Sequence, residues 1–395
     1  VLQPGEFVAD VLYYYGDHVP NIAVNKGFNQ AGSLPGYDYD VTNEEVLLQL
    51  KVLDGEIVVP SGLRYRVLVL PDHKVLSLAA LEKVAELLER GATVVGSKPD
   101  RLVSLVGGEE AQERFHELAS GLWGETPGPE GTKKIGSGRL VWGLNSRELL
   151  QRDGVPFDFE ALDVKSQSDF ETIHYTVEGG DVYFVSNQTD QPQKARFAFR
   201  AAGRQPELWD PVTGEISKAG AFEQTDSRTI LPIEFDPYGA SLVFFRQPIP
   251  TSQQGSDGSN FPTLQTVEEI DGPWQVAFDP AWGGPASIEF ETLTDWTQRP
   301  EEGIRYYSGS ATYTKRFTLH VEKDKRYWLQ LNEVKDVGIA SIDLNGKEVG
   351  TAWTKPFRVE ITDAAADGEN ELEIAVVNSW QNRLIGDRGK DPSER

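Results

Sequence analysis

The chain has 395 residues, of which 39% are hydrophobic and 10% aromatic, enough for several globular cores and too many for a disordered chain. Its 62 acidic residues outnumber 38 basic ones, and the net charge of −24 disfavours nucleic acid as a partner but not neutral sugars. The absence of cysteine excludes disulfides and thiolate chemistry, and no apolar run is long enough to predict a membrane span.

The first part of the chain, 1–154, alternates strand and helix patterns. Continuous apolar runs predict buried strands at 7–15, 64–70, 92–96 and 139–142. Apolar residues at helical spacing predict helices from 44 onward and at 77–90, 109–122 and 146–152. This alternation implies parallel strands joined by right-handed crossovers, and therefore a flavodoxin-like or amidotransferase-like α/β domain without a catalytic cysteine.

The second part, 155–248, changes to strand patterns alone. Short alternating runs predict strands at 174–177, 181–187, 195–200, 205–209, 228–235 and 240–246, the spacing of a β-sandwich domain. The segment that follows, 249–260, is rich in serine, glycine and glutamine and has almost nothing to bury. It is predicted to be a linker.

The last part, 261–395, again consists of short runs that alternate apolar and polar residues. They predict strands at 311–319, 327–331, 340–344, 357–361 and 371–377. The dipeptide Asn345-Gly346 stands between two such runs and is a strong hairpin signal. The pattern predicts an antiparallel β-sandwich of jelly-roll type.

Several phrases in this last part resemble the galactose-binding-like sandwich that is appended to many glycoside hydrolases: LQLNEVKDVGIASIDLNGKEVG at 329–350, PFRVEIT at 356–362 and GENELEIAVVNSWQNRLIG at 368–386. In the first part, VADVLYYYGDHVPN at 8–21 and LPGYDYDVTNEEVL at 34–47 extend the resemblance. Together these phrases are similar to the region C-terminal to the catalytic barrel in glycoside hydrolase family 106, the α-L-rhamnosidases.

The resemblance implies that the whole enzyme hydrolyses terminal α-L-rhamnosides of plant or bacterial glycans by inversion, with Ca²⁺ near the substrate. The barrel that carries the acid and the base would precede Val1, because no segment here has the eight strand–helix units of such a barrel. We therefore assign no catalytic residue in this chain. A secreted or periplasmic location is favoured over a cytoplasmic one.

Two other functions are compatible with the same sequence. One is a non-catalytic carbohydrate-binding or scaffold protein built from these modules. The other is a different glycoside hydrolase, such as a β-galactosidase-like enzyme, that shares the appended domains.

The segment 34–40 is the first candidate for substrate contact. It is predicted to connect a strand to a helix, where ligands of α/β sheets bind, and it carries Tyr37, Asp38 and Asp40. Tyrosine rings stack on sugars, and carboxylates accept hydrogen bonds from hydroxyl groups. In the alternative interpretation, Asp40 and Thr42 cap the following helix and the tyrosines pack beneath it.

The last domain offers a second candidate, in which Trp353, Trp380 and Asn382 form a sugar platform. Other aromatic and polar residues of this domain belong to the same hypothesis: Trp296, Tyr306, Tyr307, Asn378 and Arg383. The alternative is that large aromatic residues fill the sandwich core or a domain interface. Carboxylates that could contribute to a structural Ca²⁺ site are Asp336, Asp343 and Asp363. The five histidines lack metal-ligand spacing and are predicted to be structural or exposed.

Overall fold

The structure, a computed structural model, describes residues 5–18, 34–335, 338–388 and 390. The chain divides into two compact units, Val1–Phe261 and Pro262–Arg395. The first unit contains a mainly parallel sheet with its helices and a β-sandwich, and the second contains another β-sandwich, so the fold is mostly β. Within the described residues, no helix is both long and apolar enough to cross a bilayer.

The N-terminal part of the first unit has twelve strands and four helices among its described residues. In chain order they are β1 (Glu6–Phe7), β2 (Val11–Tyr14), β3 (Tyr39–Thr42), α1 (Glu44–Leu47), β4 (Lys51–Leu53), β5 (Glu56–Val58), β6 (Arg64–Tyr65), β7 (Val67–Val69), β8 (Val75–Leu76), α2 (Leu78–Glu89), β9 (Thr93–Val95), β10 (Arg101–Leu102), α3 (Gly108–Trp123), β11 (Gly131–Ile135), β12 (Gly138–Trp142) and α4 (Ser146–Arg152).

Six of these strands form the central sheet, in the order β11-β12-β9-β7-β2-β3. All neighbours are parallel except β11 and β12, which form a hairpin at one edge. Counted along the chain, the five parallel strands have the spatial order 2-1-3-4-5. Their apolar side chains enter two buried clusters, one with α2 and α3 and the other with α4.

Local sequence signals account for the best-predicted helix, α2. Ser77 caps it by accepting a hydrogen bond from the backbone N–H of Ala80, and Gly91 follows its end at a φ of +115°. The strand predicted at 7–15 is wrong as a single element. The strand is interrupted at Asp10. As a result β1 pairs with the sandwich strand that contains Thr176, and only β2 enters the parallel sheet.

The second part of the first unit is a sandwich of antiparallel strands: β13 (Phe159–Leu162), β14 (Phe170–Val177), β15 (Gly180–Asn187), β16 (Gln193–Phe199), β17 (Arg204–Trp209), β18 (Ile216–Lys218), β19 (Glu223–Gln224), β20 (Thr229–Phe235) and β21 (Ala240–Pro248). One sheet has the order β1-β14-β15-β21-β17-β18 and the other β13-β16-β20-β19. Alternate residues of both sheets point inward, and phenylalanines dominate the core between them.

The segment 249–260, predicted to be a linker, is an ordered part of this sandwich. The backbone N–H of Gly255 donates to the carbonyl of Phe222, and the side-chain amide of Asn260 donates to the carbonyls of Ala221 and Pro232. Its serine, glycine and glutamine residues have little apolar surface to bury. They attach through hydrogen bonds instead, a contribution that composition alone does not reveal.

The second unit contains β22 (Trp274–Phe278), β23 (Ile288–Phe290), α5 (Glu302–Arg305), β24 (Ser310–Leu319), β25 (Trp328–Gln330), β26 (Ile339–Leu344), β27 (Lys347–Ala352), β28 (Arg358–Glu360), β29 (Gly368–Val377) and α6 (Gln381–Asp387). Its large antiparallel sheet has the order β23-β22-β24-β29-β26-β27, and β25 pairs with β28 in a small second sheet. The hairpin at Asn345-Gly346 is confirmed between β26 and β27. Both turn residues have positive φ, 54° and 74°, as a type I′ turn requires.

Candidate functional site

The structure places the segment 34–40 at the start of a strand. Tyr37 and Asp38 directly precede β3, and Asp40 lies within it. Because β3 runs parallel to β2, these residues are at its amino end, whereas ligands of α/β sheets bind beyond the carboxyl ends. The expected strand-to-helix connection is therefore wrong. The reason is that YDYDVT itself alternates aromatic or apolar with polar residues, which is a strand pattern.

The side chains of this segment are engaged within the protein. The Tyr37 hydroxyl donates to the carbonyl of Val155 at 2.7 Å, and its ring meets Phe157 edge-on at 5.2 Å between centroids. Asp38 is buried and accepts a hydrogen bond from the backbone N–H of Tyr39. The tyrosines thus pack in the core, as the alternative interpretation expects. Substrate contact by Tyr37, Asp38 and Asp40 stays a prediction.

Asp40 forms a defined pair with a neighbouring strand. Its Oδ2 atom accepts a hydrogen bond from the Tyr65 hydroxyl at 2.9 Å. Burial, reinforced by the Asp40 carboxylate, raises the pKa of Tyr65, so the phenol remains the donor. The cap of α1 is Asn43, whose side chain accepts from the N–H of Val46, and neither Asp40 nor Thr42 has this role.

A set of ion-paired and hydrogen-bonded side chains, most of them buried, lies beside this segment, where the parallel sheet meets the first sandwich. We call it the seam cluster; its members are Asp10, Arg66, Asp158, His174, Asp181, Tyr183 and Arg200. Sequence patterns do not indicate it, because its members are scattered over nearly two hundred positions. The prediction that His174 is structural is consistent with its place in this cluster.

Arg200 and His174 each join two carboxylates in the seam cluster. The Arg200 guanidinium contacts Asp10 at 3.0 Å and Asp158 at 3.2 Å. The imidazole of His174 places Nδ1 2.9 Å from Asp158 and Nε2 3.1 Å from Asp181. Tyr183 stacks on the imidazole with centroids 3.9 Å apart, and its hydroxyl donates a hydrogen bond to Asp158.

The second candidate site is divided by the structure into core and surface residues. Trp296 and Tyr307 are buried in the sandwich, and Asn378 fixes the chain beside them by donating to the carbonyl of Tyr307 at 2.9 Å. By contrast, Trp353 and Trp380 are 56% and 74% exposed. The core alternative is therefore right for Trp296 and Tyr307, while Trp353 and Trp380 remain available at the surface.

The strand pairing shows that Trp353 and Trp380 leave the sheet at the same end. Residues in register across the sheet are Phe278, Ala311, Val376, Ala340 and Ala352. These five residues mark one end of the sheet, and strands β22, β29 and β27 all have their carboxyl ends there. The connections that follow them carry Trp282, Trp380 and Trp353, respectively. Trp282, which is 63% exposed, was not singled out from the sequence, because nothing local distinguishes it from a core tryptophan.

Asn382 lies at a different feature of the same unit, a groove of about 1770 Å³. The groove runs between residues 262–271 and the small sheet, and its polar lining includes Gln330, Arg358, Gln381 and Asn382. Trp353 and Trp380 do not line it. Among the described residues, no group of three or more histidine or carboxylate side chains is arranged to hold a metal ion, and Asp336 lies outside them.

Comparison with known proteins gives two family matches. Residues 1–224 match the family described as alpha-L-rhamnosidase, glycoside hydrolase family 106. Residues 295–389 match the glycosyl hydrolase 2 galactose-binding domain-like family, which agrees with the sandwich of the second unit.

Individual relatives extend these matches over almost the whole chain. A solved rhamnosidase from Novosphingobium sp. PP1Y is 33% identical and superposes with a TM-score of 0.86, covering 98% of this chain and 36% of its own. A protein of Formosa agariphila, named as a candidate beta-glucuronidase, is 22% identical over 98% of this chain and 51% of its own length. This chain therefore spans about half, or less, of the length of these relatives. Because more than half of the chain matches the family model, the chain belongs to the alpha-L-rhamnosidase family of glycoside hydrolases, family 106.

Proposed function

We propose that this chain is the accessory part, following the catalytic barrel, of a glycoside hydrolase that removes terminal α-L-rhamnosyl groups from glycans. The observation that carries the proposal is the rhamnosidase match, which covers 98% of this chain but only 36% of the relative. The acid and base of the reaction would then belong to the remainder of such a protein. The order 2-1-3-4-5 of the parallel strands supports a flavodoxin-like assignment for the N-terminal domain.

The carboxylates described here give little support for catalysis within the chain itself. Glycoside hydrolysis needs two carboxyl groups on either side of an accessible bond, one of them protonated. Burial raises the pKa of Asp10 against the opposing effect of Arg200, yet this carboxylate is enclosed and paired with Arg66 and Arg200. Ca²⁺ remains a prediction from the family resemblance. The described residues offer no cluster to bind it, so we derive no step through it.

Turnover of aryl glycosides tests the proposal directly. We expect the 395-residue chain to leave an aryl α-L-rhamnoside intact and a longer protein from the same source to hydrolyse it. Rhamnoside turnover by this chain alone would overturn the accessory role. Preferential turnover of an aryl β-glucuronide or β-galactoside by the longer protein would overturn the substrate class. Fractionation of the source cells tests the further expectation that the enzyme is secreted or periplasmic.

Carbohydrate binding without catalysis is a second candidate function. It is favoured by the exposure of Trp353 and Trp380 at one end of the last sandwich, since large aromatic side chains are costly to leave in water without a ligand. Titration of the chain with soluble rhamnosides, followed by tryptophan fluorescence, tests this function. Binding by Tyr37, Asp38, Asp40 or Asn382 would instead show as affinity that survives alanine substitution of both tryptophans.

A further inference from the structure

The strongest unassigned feature of the second unit is the set of exposed tryptophans at one end of its large sheet. We call Trp282, Trp353 and Trp380 the tryptophan edge. The other six tryptophans of the chain are buried or half-buried: Trp123, Trp142, Trp209, Trp274, Trp296 and Trp328. Exposed tryptophan is thus confined to this end of this sheet within the part of the chain that the structure describes.

The spacing of the tryptophan edge follows from the strand order. Trp282, Trp380 and Trp353 follow β22, β29 and β27. One strand of opposite direction separates β22 from β29, and one separates β29 from β27. Because neighbouring strands lie about 4.8 Å apart, the three connections leave the sheet at intervals of roughly 10 Å. That interval is comparable with the length of a disaccharide. The edge therefore suits an extended ligand that offers a flat apolar face at regular steps.

The surface around these rings has a matching chemistry. Ile339 and Val377 are paired at the outermost position of the sheet and are 45% and 41% exposed, which makes an apolar floor. The formal charge of −24 makes a polyanionic ligand unfavourable. Indole rings and an apolar floor fit neutral sugars whose apolar faces include C–H bonds and a methyl group.

We propose that the tryptophan edge binds a linear run of neutral deoxysugar residues and so holds the glycan from which the enzyme removes terminal rhamnose. This inference rests on the proposed function for its substrate class. It adds a second contact with the glycan, one that has no part in bond cleavage. The chemical basis is stacking of indole on the apolar faces of pyranose rings.

The test compares single alanine substitutions W282A, W353A and W380A in the 395-residue chain, with an α-linked rhamnose oligosaccharide as the probe. We expect each substitution to weaken binding at least roughly tenfold, because central tryptophans commonly dominate such contacts. Y238A removes an exposed aromatic residue of the other unit and serves as the control, expected to leave affinity unchanged. Thermal unfolding of all variants should be unaltered, since the rings are exposed.

Two outcomes would overturn the proposal. One is undetectable binding of the oligosaccharide by the unsubstituted chain. The other is unchanged affinity in all three tryptophan variants; if these variants instead change the mass of the particle in light scattering, the edge is a protein-docking surface. The aryl α-L-rhamnoside assay on the longer protein separates this result from failure of the proposed function. A small aryl glycoside reports bond cleavage without needing the tryptophan edge.

Discussion

The protonation of His174 should make the stability of the first unit depend on pH in a specific window. Both ring nitrogens face carboxylate oxygens, Nδ1 toward Asp158 and Nε2 toward Asp181. A neutral imidazole has one N–H and would turn a lone pair toward the second carboxylate, so this geometry requires the charged form. With His174 protonated, three cations balance three carboxylates in the seam cluster. Loss of the proton leaves one unbalanced negative charge in a buried site.

The magnitude follows from the same contacts. Burial alone would lower the pKa of His174, but Asp158 and Asp181 outweigh it and raise the pKa to about 9. Burial would likewise raise the pKa of Asp158, yet His174 and Arg200 lower it. From the ordinary histidine value of about 6.5 to about 9, at about 1.36 kcal/mol per pH unit, the difference is about 3 kcal/mol. The His174 side chain is only 4% exposed, so solvent screening removes little of it.

Linkage gives the sign. The folded-state pKa lies above the unfolded one, so the stabilisation is fully present below about pH 6.5 and is lost as pH rises to about 9. Urea unfolding at intervals between pH 6 and 9.5 should show the free energy of unfolding falling by about 3 kcal/mol across this window. His174→Gln should abolish this pH dependence and lower the free energy of unfolding at pH 6. His116→Gln, which removes an exposed histidine, should leave both the pH dependence and the free energy of unfolding unchanged.

Nuclear magnetic resonance can follow the imidazole of His174 independently of unfolding. The reasoning is refuted if this ring is neutral at pH 7.5, or if the free energy of unfolding stays flat between pH 6.5 and 9. A fall in stability that persists in His174→Gln would assign the effect to another group.

Three further predictions concern the fold. Asn370→Ala should destabilise the second unit by roughly 2–4 kcal/mol in urea unfolding. The reason is that this buried side-chain amide forms hydrogen bonds with Asn345 and with three backbone groups of residues 366–368. Asn332→Ala, at an exposed position, is the control and should change the stability little. Gly36→Ala should destabilise the first unit more than Gly55→Ala does. Both positions have positive φ, but only at Gly36 would the new Cβ lie 2.5 Å from the Phe157 ring. Equal losses of stability in the two variants would contradict this account. Limited digestion with a glutamate-specific protease should cut first within 262–269, which is exposed and without secondary structure, and mass spectrometry should find two fragments of unit size rather than many.

Local patterns were sufficient where neighbouring residues determine the structure. Ser77 and Gly91 mark the ends of α2, and Asn345-Gly346 specifies its hairpin, because caps and tight turns depend on a few consecutive residues. The break within 7–15 had one available signal, the charged Asp10 inside an apolar run. A charge there demands partners, and these are Arg66 and Arg200, the second of them 190 residues away.

Long-range arrangements could not be predicted from local sequence patterns, because they depend on residues that are far apart in the chain. No local pattern relates His174 to Asp158, or places Trp282 and Trp380 at the same end of a sheet, since both arrangements depend on strand pairing between distant segments. Likewise, the amino-end position of Tyr37 and Asp38 follows from the parallel pairing of β3 with β2. The sequence could suggest which residues contact a sugar, but not which end of a sheet would present them.

The pairing of β1 with β14 affects how the first unit is made. Glu6 and Thr176 are neighbours across this sheet although 170 residues separate them, so the parallel-sheet domain is in effect inserted into the sandwich. At about 5–20 residues per second on the ribosome, β1 waits roughly 10–30 s for its partner strand. During that interval its edge is exposed to other chains. Separating the two domains near residue 155 would divide a sheet, so they are expected to fold and to be inherited together.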